Sequence, residues 1–105
     1  MRLLRDWLSP AQRAQFAKKG YFEVVGGETG RLYRIYAGAM SNVCEIDEKG
    51  RPKLGLCFRT MGELPIGDVM LAQKIALESG ESSALAVARR FVPNAFMFRP
   101  GRLLG

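Results

Sequence analysis

Between Tyr21 and Arg59 apolar and polar residues alternate with a period of two, the spacing of strands that bury one face. Four runs carry the alternation: 21–25 (YFEVV), 31–37 (RLYRIYA), 40–47 (MSNVCEID) and 52–59 (PKLGLCFR). The segments between them, GGETG, Gly38-Ala39 and EKG, are too short for parallel crossovers and select hairpins. A four-residue loop at 27–30 pairs Gly26 with Arg31, Val24 with Tyr33 and Phe22 with Ile35. A two-residue turn at Gly38-Ala39 pairs Ala37 with Met40 and Ile35 with Asn42. A three-residue loop at 48–50 pairs Cys44 with Leu54 and Met40 with Phe58. Together these registers gather Phe22, Val24, Tyr33, Ile35, Ala37, Met40, Cys44, Ile46, Leu54, Leu56 and Phe58 on one face. Asn42 is the polar member of that face and is expected to find a backbone partner there.

Helical spacing flanks the strands. Ser9-Pro10-Ala11-Gln12 reads as an N-cap, a proline in the first turn and a capping-box glutamine, predicting a helix to Lys19 that Gly20 stops. Ahead of it Leu3, Leu4, Trp7 and Leu8 form an apolar cluster expected to dock on the domain. The alternative for that cluster, with Arg2 and Arg5, is a helix lying on a membrane surface. After the strands, a turn over 59–67 pinned by Leu64 and Ile66 leads to a helix capped at Asp68 and closed by Gly80. Its polar residues are so few (Gln73, Lys74, Glu78) that it should be largely buried. Ser82 or Ser83 caps a further helix to about Phe91, with Leu85, Ala88 and Val92 inward, and 95–98 (AFMF) reads as a short edge strand.

The expected fold is therefore α+β: a four-stranded antiparallel meander, one N-terminal helix, and two C-terminal helices packed on the apolar sheet face. The 105 residues fit one domain, 1–105, with 1–8 and 99–105 the loosest parts.

Composition adds bounds. Apolar residues make up 48% of the chain, enough for a core without staples, yet no run approaches the roughly 18 that a spanning helix needs. The first residues lack a continuous apolar stretch of the signal-peptide kind, so a cytoplasmic location is expected. The net charge is +6, and it lies at the ends. Residues 1–20 hold Arg2, Arg5, Arg13, Lys18 and Lys19 against Asp6; residues 86–105 hold Arg89, Arg90, Arg99 and Arg102 against no acid. Such ends serve solubility or a polyanionic partner.

The chain offers little for catalysis. It has no histidine, which removes the commonest general base and metal ligand. The register sets Cys44 inward and Cys57 outward, so the two should not pair, and Cys57 has no histidine to activate it. Glu45, Asp47 and Glu48 cluster at a hairpin tip, but Lys49 and Arg51 stand where a calcium loop would want oxygen. The stretch Gly26–Gly30 joins two strands rather than a strand and a helix, and at Gly67-Asp68 the acid would occupy any anion seat. No catalytic residue, cofactor or metal is expected.

The opposite sheet face carries more apolar surface than water calls for: Tyr21, Glu23, Val25, Leu32, Arg34, Tyr36, Ser41, Val43, Glu45, Lys53, Gly55, Cys57 and Arg59. Its candidate interaction surface is Tyr21, Val25, Leu32, Arg34, Tyr36, Val43 and Arg59. The N-terminal helix with Trp7 and Phe16, a second copy or a protein partner should cover it. The expected function is a small non-enzymatic interaction module that self-associates or binds a protein partner through this face. The alternative is nucleic-acid binding, with Tyr21 and Tyr36 stacking on bases and Arg34, Arg59 and the basic ends on phosphates. A third reading is a small-ligand or enzyme domain with a pocket between sheet and helices.

Overall fold

The computed structural model describes residues 2–38, 40–58 and 64–93. Helices α1 (Arg2–Trp7) and α2 (Pro10–Lys19) lead into strands β1 (Tyr21–Val25), β2 (Leu32–Tyr36), β3 (Val43–Ile46) and β4 (Pro52–Cys57). Then come α3 (Ile66–Ser79), α4 (Glu81–Val87) and β5 (Arg89–Phe91). All five strands form one antiparallel sheet in the order β1-β2-β3-β4-β5. The expected four-stranded meander therefore gains a fifth strand, from residues expected to be helical. Helix α4 stops at Val87, Ala88 turns extended (φ −76°, ψ 142°), and Arg89–Phe91 pair with Gly55–Cys57. Sheet pairing here overrides the helical spacing of Leu85 and Ala88. The strand expected at 95–98 and the candidate residue Arg59 lie outside the described residues.

The capping box forms as the sequence predicts, Gln12 N–H donating to Ser9 Oγ at 3.1 Å and Ser9 N–H to Gln12 Oε1 at 3.0 Å. Helix α3 begins two residues before the expected cap, with Pro65 at its N-cap and Asp68 in its first turn. Helix α1 is too short to hold itself together in water. It is fixed instead by Leu4 and Leu8, 0% and 3% exposed, whose burial contributes roughly 2 kcal/mol each.

The main core lies on the inner sheet face, where Phe22, Val24, Tyr33, Ile35, Val43 and Leu56 meet Leu4 and Leu8, Met70, Leu71 and Leu77 of α3, and Ala84 of α4. Both C-terminal helices thus face the apolar side, joined there by α1. Helix α2 runs along β1 and sends Phe16 edge-on to Phe22, with ring centroids 5.8 Å apart. It does not cover the outer face.

The β1–β2 register is the one read from the sequence. Strand β3 is not: Ile35 pairs with Val43 rather than Asn42, because the connection takes five residues, Ala37–Ser41, instead of two. Asn42 shapes that loop. Its side-chain amide donates to the carbonyls of Tyr36 (3.0 Å) and Gly38 (3.1 Å) and exchanges hydrogen bonds with Gln73 of α3 at 2.9 and 3.0 Å. The β3–β4 turn begins in the expected register, Ile46 opposite Pro52, but Glu45 then faces Leu54, which makes Lys53 an extra, bulged residue. The two one-residue slips cancel, so Leu56 still shares the inner face with Ile35, and only β3 is inverted. Val43 and Glu45 turn inward; Cys44 and Ile46 turn outward. Met40, expected inside, is 64% exposed.

Candidate functional site

The inversion of β3 remakes the outer face. Cys44 and Ile46 join Tyr21 and Tyr36 in a second cluster against which Phe91 packs, and its four central members are 0–7% exposed. The Tyr21 and Tyr36 rings lie 5.0 Å apart, tilted by 54°. The Arg34 guanidinium stands 4.5 Å from the Tyr21 ring centroid while its Nε donates to Glu23 Oε2 at 2.8 Å, so the cation covers the aromatic surface and is itself paired. Gly55, opposite Phe91, leaves the room the ring occupies; a Cβ there would run into it. Burial pushes the Tyr36 hydroxyl and the Cys44 thiol each up to about 12, so the Cys44 sulfur stays a protonated core group. Cys44 and Cys57 sit on the same face rather than on opposite ones, and both are free thiols.

At the β1–β2 end the face stays open. Val25 and Leu32 are cross-strand partners, 54% and 40% exposed. They border a surface groove of about 380 Å³ whose other walls are Ser9, Ala11, Gln12, Gln15 and Glu23. Two of those side chains also seal the sheet edge. The Glu23 N–H donates to Gln15 Oε1 at 2.7 Å, and Gln12 Nε2 donates to the Glu23 carbonyl at 2.9 Å. The backbone groups through which another strand would attach at Glu23 are therefore taken. Of the sequence-predicted site residues, Val25 and Leu32 are presented together, with Arg34 partly buried beside them. Tyr21 and Tyr36 are enclosed, and Val43 is in the main core.

The sequence reading missed a polar site behind the same hairpin. Glu81, the first residue of α4, is 0% exposed. Its carboxylate accepts from the Glu28 N–H (3.0 Å), the Thr29 N–H (2.8 Å), the Thr29 hydroxyl (2.6 Å) and the Tyr33 hydroxyl (2.6 Å). Burial works against this charge, but the donated hydrogen bonds outweigh it and hold the carboxyl at about 2. A Cβ on Gly26 would overlap that carboxylate, and one on Gly27 would overlap the Glu78 carbonyl oxygen. The glycine-rich loop does cradle an anion, then, and the anion is the chain's own. A threonine within a glycine-rich turn and a tyrosine inside the core were the available signals.

Asp47 at the β3–β4 tip is structural too. Asp47 Oδ1 accepts from the Lys49 and Arg51 N–H groups, both at 2.9 Å, and the backbone bond from Arg51 first, then that from Lys49, holds its carboxyl below the usual range. Among the described residues no three of His, Cys, Asp and Glu gather as a metal site, no buried side-chain nitrogen or oxygen lacks a partner, and no helix is long and apolar enough to cross a membrane.

Neither a protein-family model, nor a curated protein, nor a solved structure matches this chain.

Proposed function

We propose that the protein is a small non-enzymatic interaction module that self-associates through the open end of its outer sheet face. The observation that carries this reading is the Val25–Leu32 pair, exposed on the rim of a groove while the rest of the same face is closed by its own tyrosines. An apolar patch beside an ion pair, Glu23 with Arg34, offers both signs of charge, and a twofold contact between identical surfaces needs such self-complementarity. The sealed edge at Glu23 favours side-chain docking over addition of a strand. Light scattering at high concentration should give double the chain mass, falling to the monomer for Val25→Glu with Leu32→Glu. A wild-type monomer at every concentration would sink the proposal.

The nucleic-acid alternative draws less support, because the rings meant to stack, Tyr21 and Tyr36, are 3% and 0% exposed and Arg34 is already paired. Its test is affinity for generic DNA or RNA at low salt, which should fall steeply as salt rises.

A further inference from the structure

Helix α1 buries one apolar ridge and displays another. Leu4 and Leu8 enter the core, whereas Leu3 and Trp7, a turn apart on the neighbouring ridge, are 50% and 61% exposed. Nothing in the fold requires a tryptophan and a leucine to stand together in water. Two exposed cations border this ridge, Arg5 on α1 itself and Arg13 on α2, and Asp6 is the lone acid in residues 1–20. Arg13 is drawn to the end of α1, its Nη2 donating to the Leu8 carbonyl at 3.3 Å, which sets a guanidinium close behind Trp7 in the chain. Ile75, 48% exposed, lies on α3, the helix against which α1 packs.

We infer that this corner, the α1 ridge with Arg5 and Arg13 beside it, is a peripheral docking surface for an anionic lipid membrane. An indole and an aliphatic side chain on one short ridge suit the boundary between headgroups and acyl chains, and the cations beside them suit acidic headgroups. A nucleic acid would use the indole and the cations but gain nothing from Leu3. A protein partner would not need the excess of positive charge. The surface is separate from the Val25–Leu32 patch and does not depend on the role proposed for it.

The chain's single tryptophan is itself the reporter. Mixed with vesicles of equimolar phosphatidylserine and phosphatidylcholine, the full chain should show a blue shift of Trp7 emission, absent with phosphatidylcholine alone and reversed by high salt. Leu3→Glu should abolish the shift with the thermal midpoint unchanged, since the side chain is already half in water. Arg13→Gln should weaken vesicle binding about fivefold, as expected for one cation at an acidic surface. Trp7→Glu, read by vesicle sedimentation, should remain in the supernatant. No shift with anionic vesicles would overturn the inference. So would quenching of Trp7 by single-stranded nucleic acid at low salt without any response to vesicles, or a shift that zwitterionic vesicles produce equally.

Discussion

The two faces of the sheet are both apolar, and they are finished differently. The inner face is roofed by helices: α1, α3 and α4 supply Leu4, Leu8, Met70, Leu71, Leu77 and Ala84. Among the described residues no helix roofs the outer face; α2 only borders it along β1, walling the groove beside Val25 and Leu32. Tyr21, Tyr36, Cys44, Ile46 and Phe91 close on one another, and Val25 with Leu32, at the β1–β2 edge away from the two tyrosines, stays in water. Large side chains and a cation lying over a ring can bury part of a sheet face without a second layer. Apolar content alone, then, does not locate an interaction surface; what matters is which part of the face its own aromatics fail to reach.

The largest effects should come from breaking the two clusters in parallel. Phe22→Ala on the inner face should cost roughly 3–5 kcal/mol by chemical denaturation. If the outer cluster is a real core, Tyr36→Ala should cost roughly 3 kcal/mol as well. A loss within about 0.5 kcal/mol would instead make Tyr36 a surface residue.

Next comes the loop that holds the open end in place. Glu81→Ala strands the Glu28 and Thr29 N–H groups and the Tyr33 hydroxyl, and should cost about 3 kcal/mol. The same site sets a pH dependence. The folded carboxyl sits at about 2, below the ordinary carboxylate value of 4.5, so its contribution is complete above 4.5 and is lost as pH falls toward 2. Acid titration of stability should show this loss, and Glu81→Gln should flatten it.

The smallest effect falls on the open patch. Val25→Glu with Leu32→Glu should change stability by no more than about 0.5 kcal/mol per site while removing self-association. Glu23→Gln should cost at most about 1 kcal/mol, as for other partly exposed ion pairs.

Much of this division could be read from the residues, and the exceptions have physical causes. The β1–β2 hairpin was legible because its loop length fixes the register and both strands alternate cleanly. The α2 cap and the buried α3 follow from local signals. Strand β3 was inverted because the loop 37–41 is held open by Asn42 rather than closed as a two-residue turn, and a polar residue anchoring carbonyls leaves no mark on hydrophobic periodicity. The Lys53 bulge restored β4 to its expected face for the same kind of reason: Lys53 Nζ reaches Glu45 Oε2 at 3.5 Å, giving that largely buried acid a partner. Without the inversion Cys44 and Ile46 could not have closed the outer cluster, so the error in β3 hid the enclosure of Tyr21 and Tyr36. Glu81 and the two edge-sealing glutamines escaped notice because Glu81 finds Thr29 52 residues away and Gln12 and Gln15 find Glu23 11 and 8 residues away, beyond the reach of any local motif.

The measurement closest to the central claim is the concentration dependence of backbone amide signals in solution NMR. On dilution, the amides of Val25, Leu32 and their neighbours at that end of the sheet should shift together while those of Tyr21 and Tyr36 stay fixed. Shifts centred on Tyr21 and Tyr36, or none anywhere across the range, would contradict an outer face that is closed at one end and docks at the other.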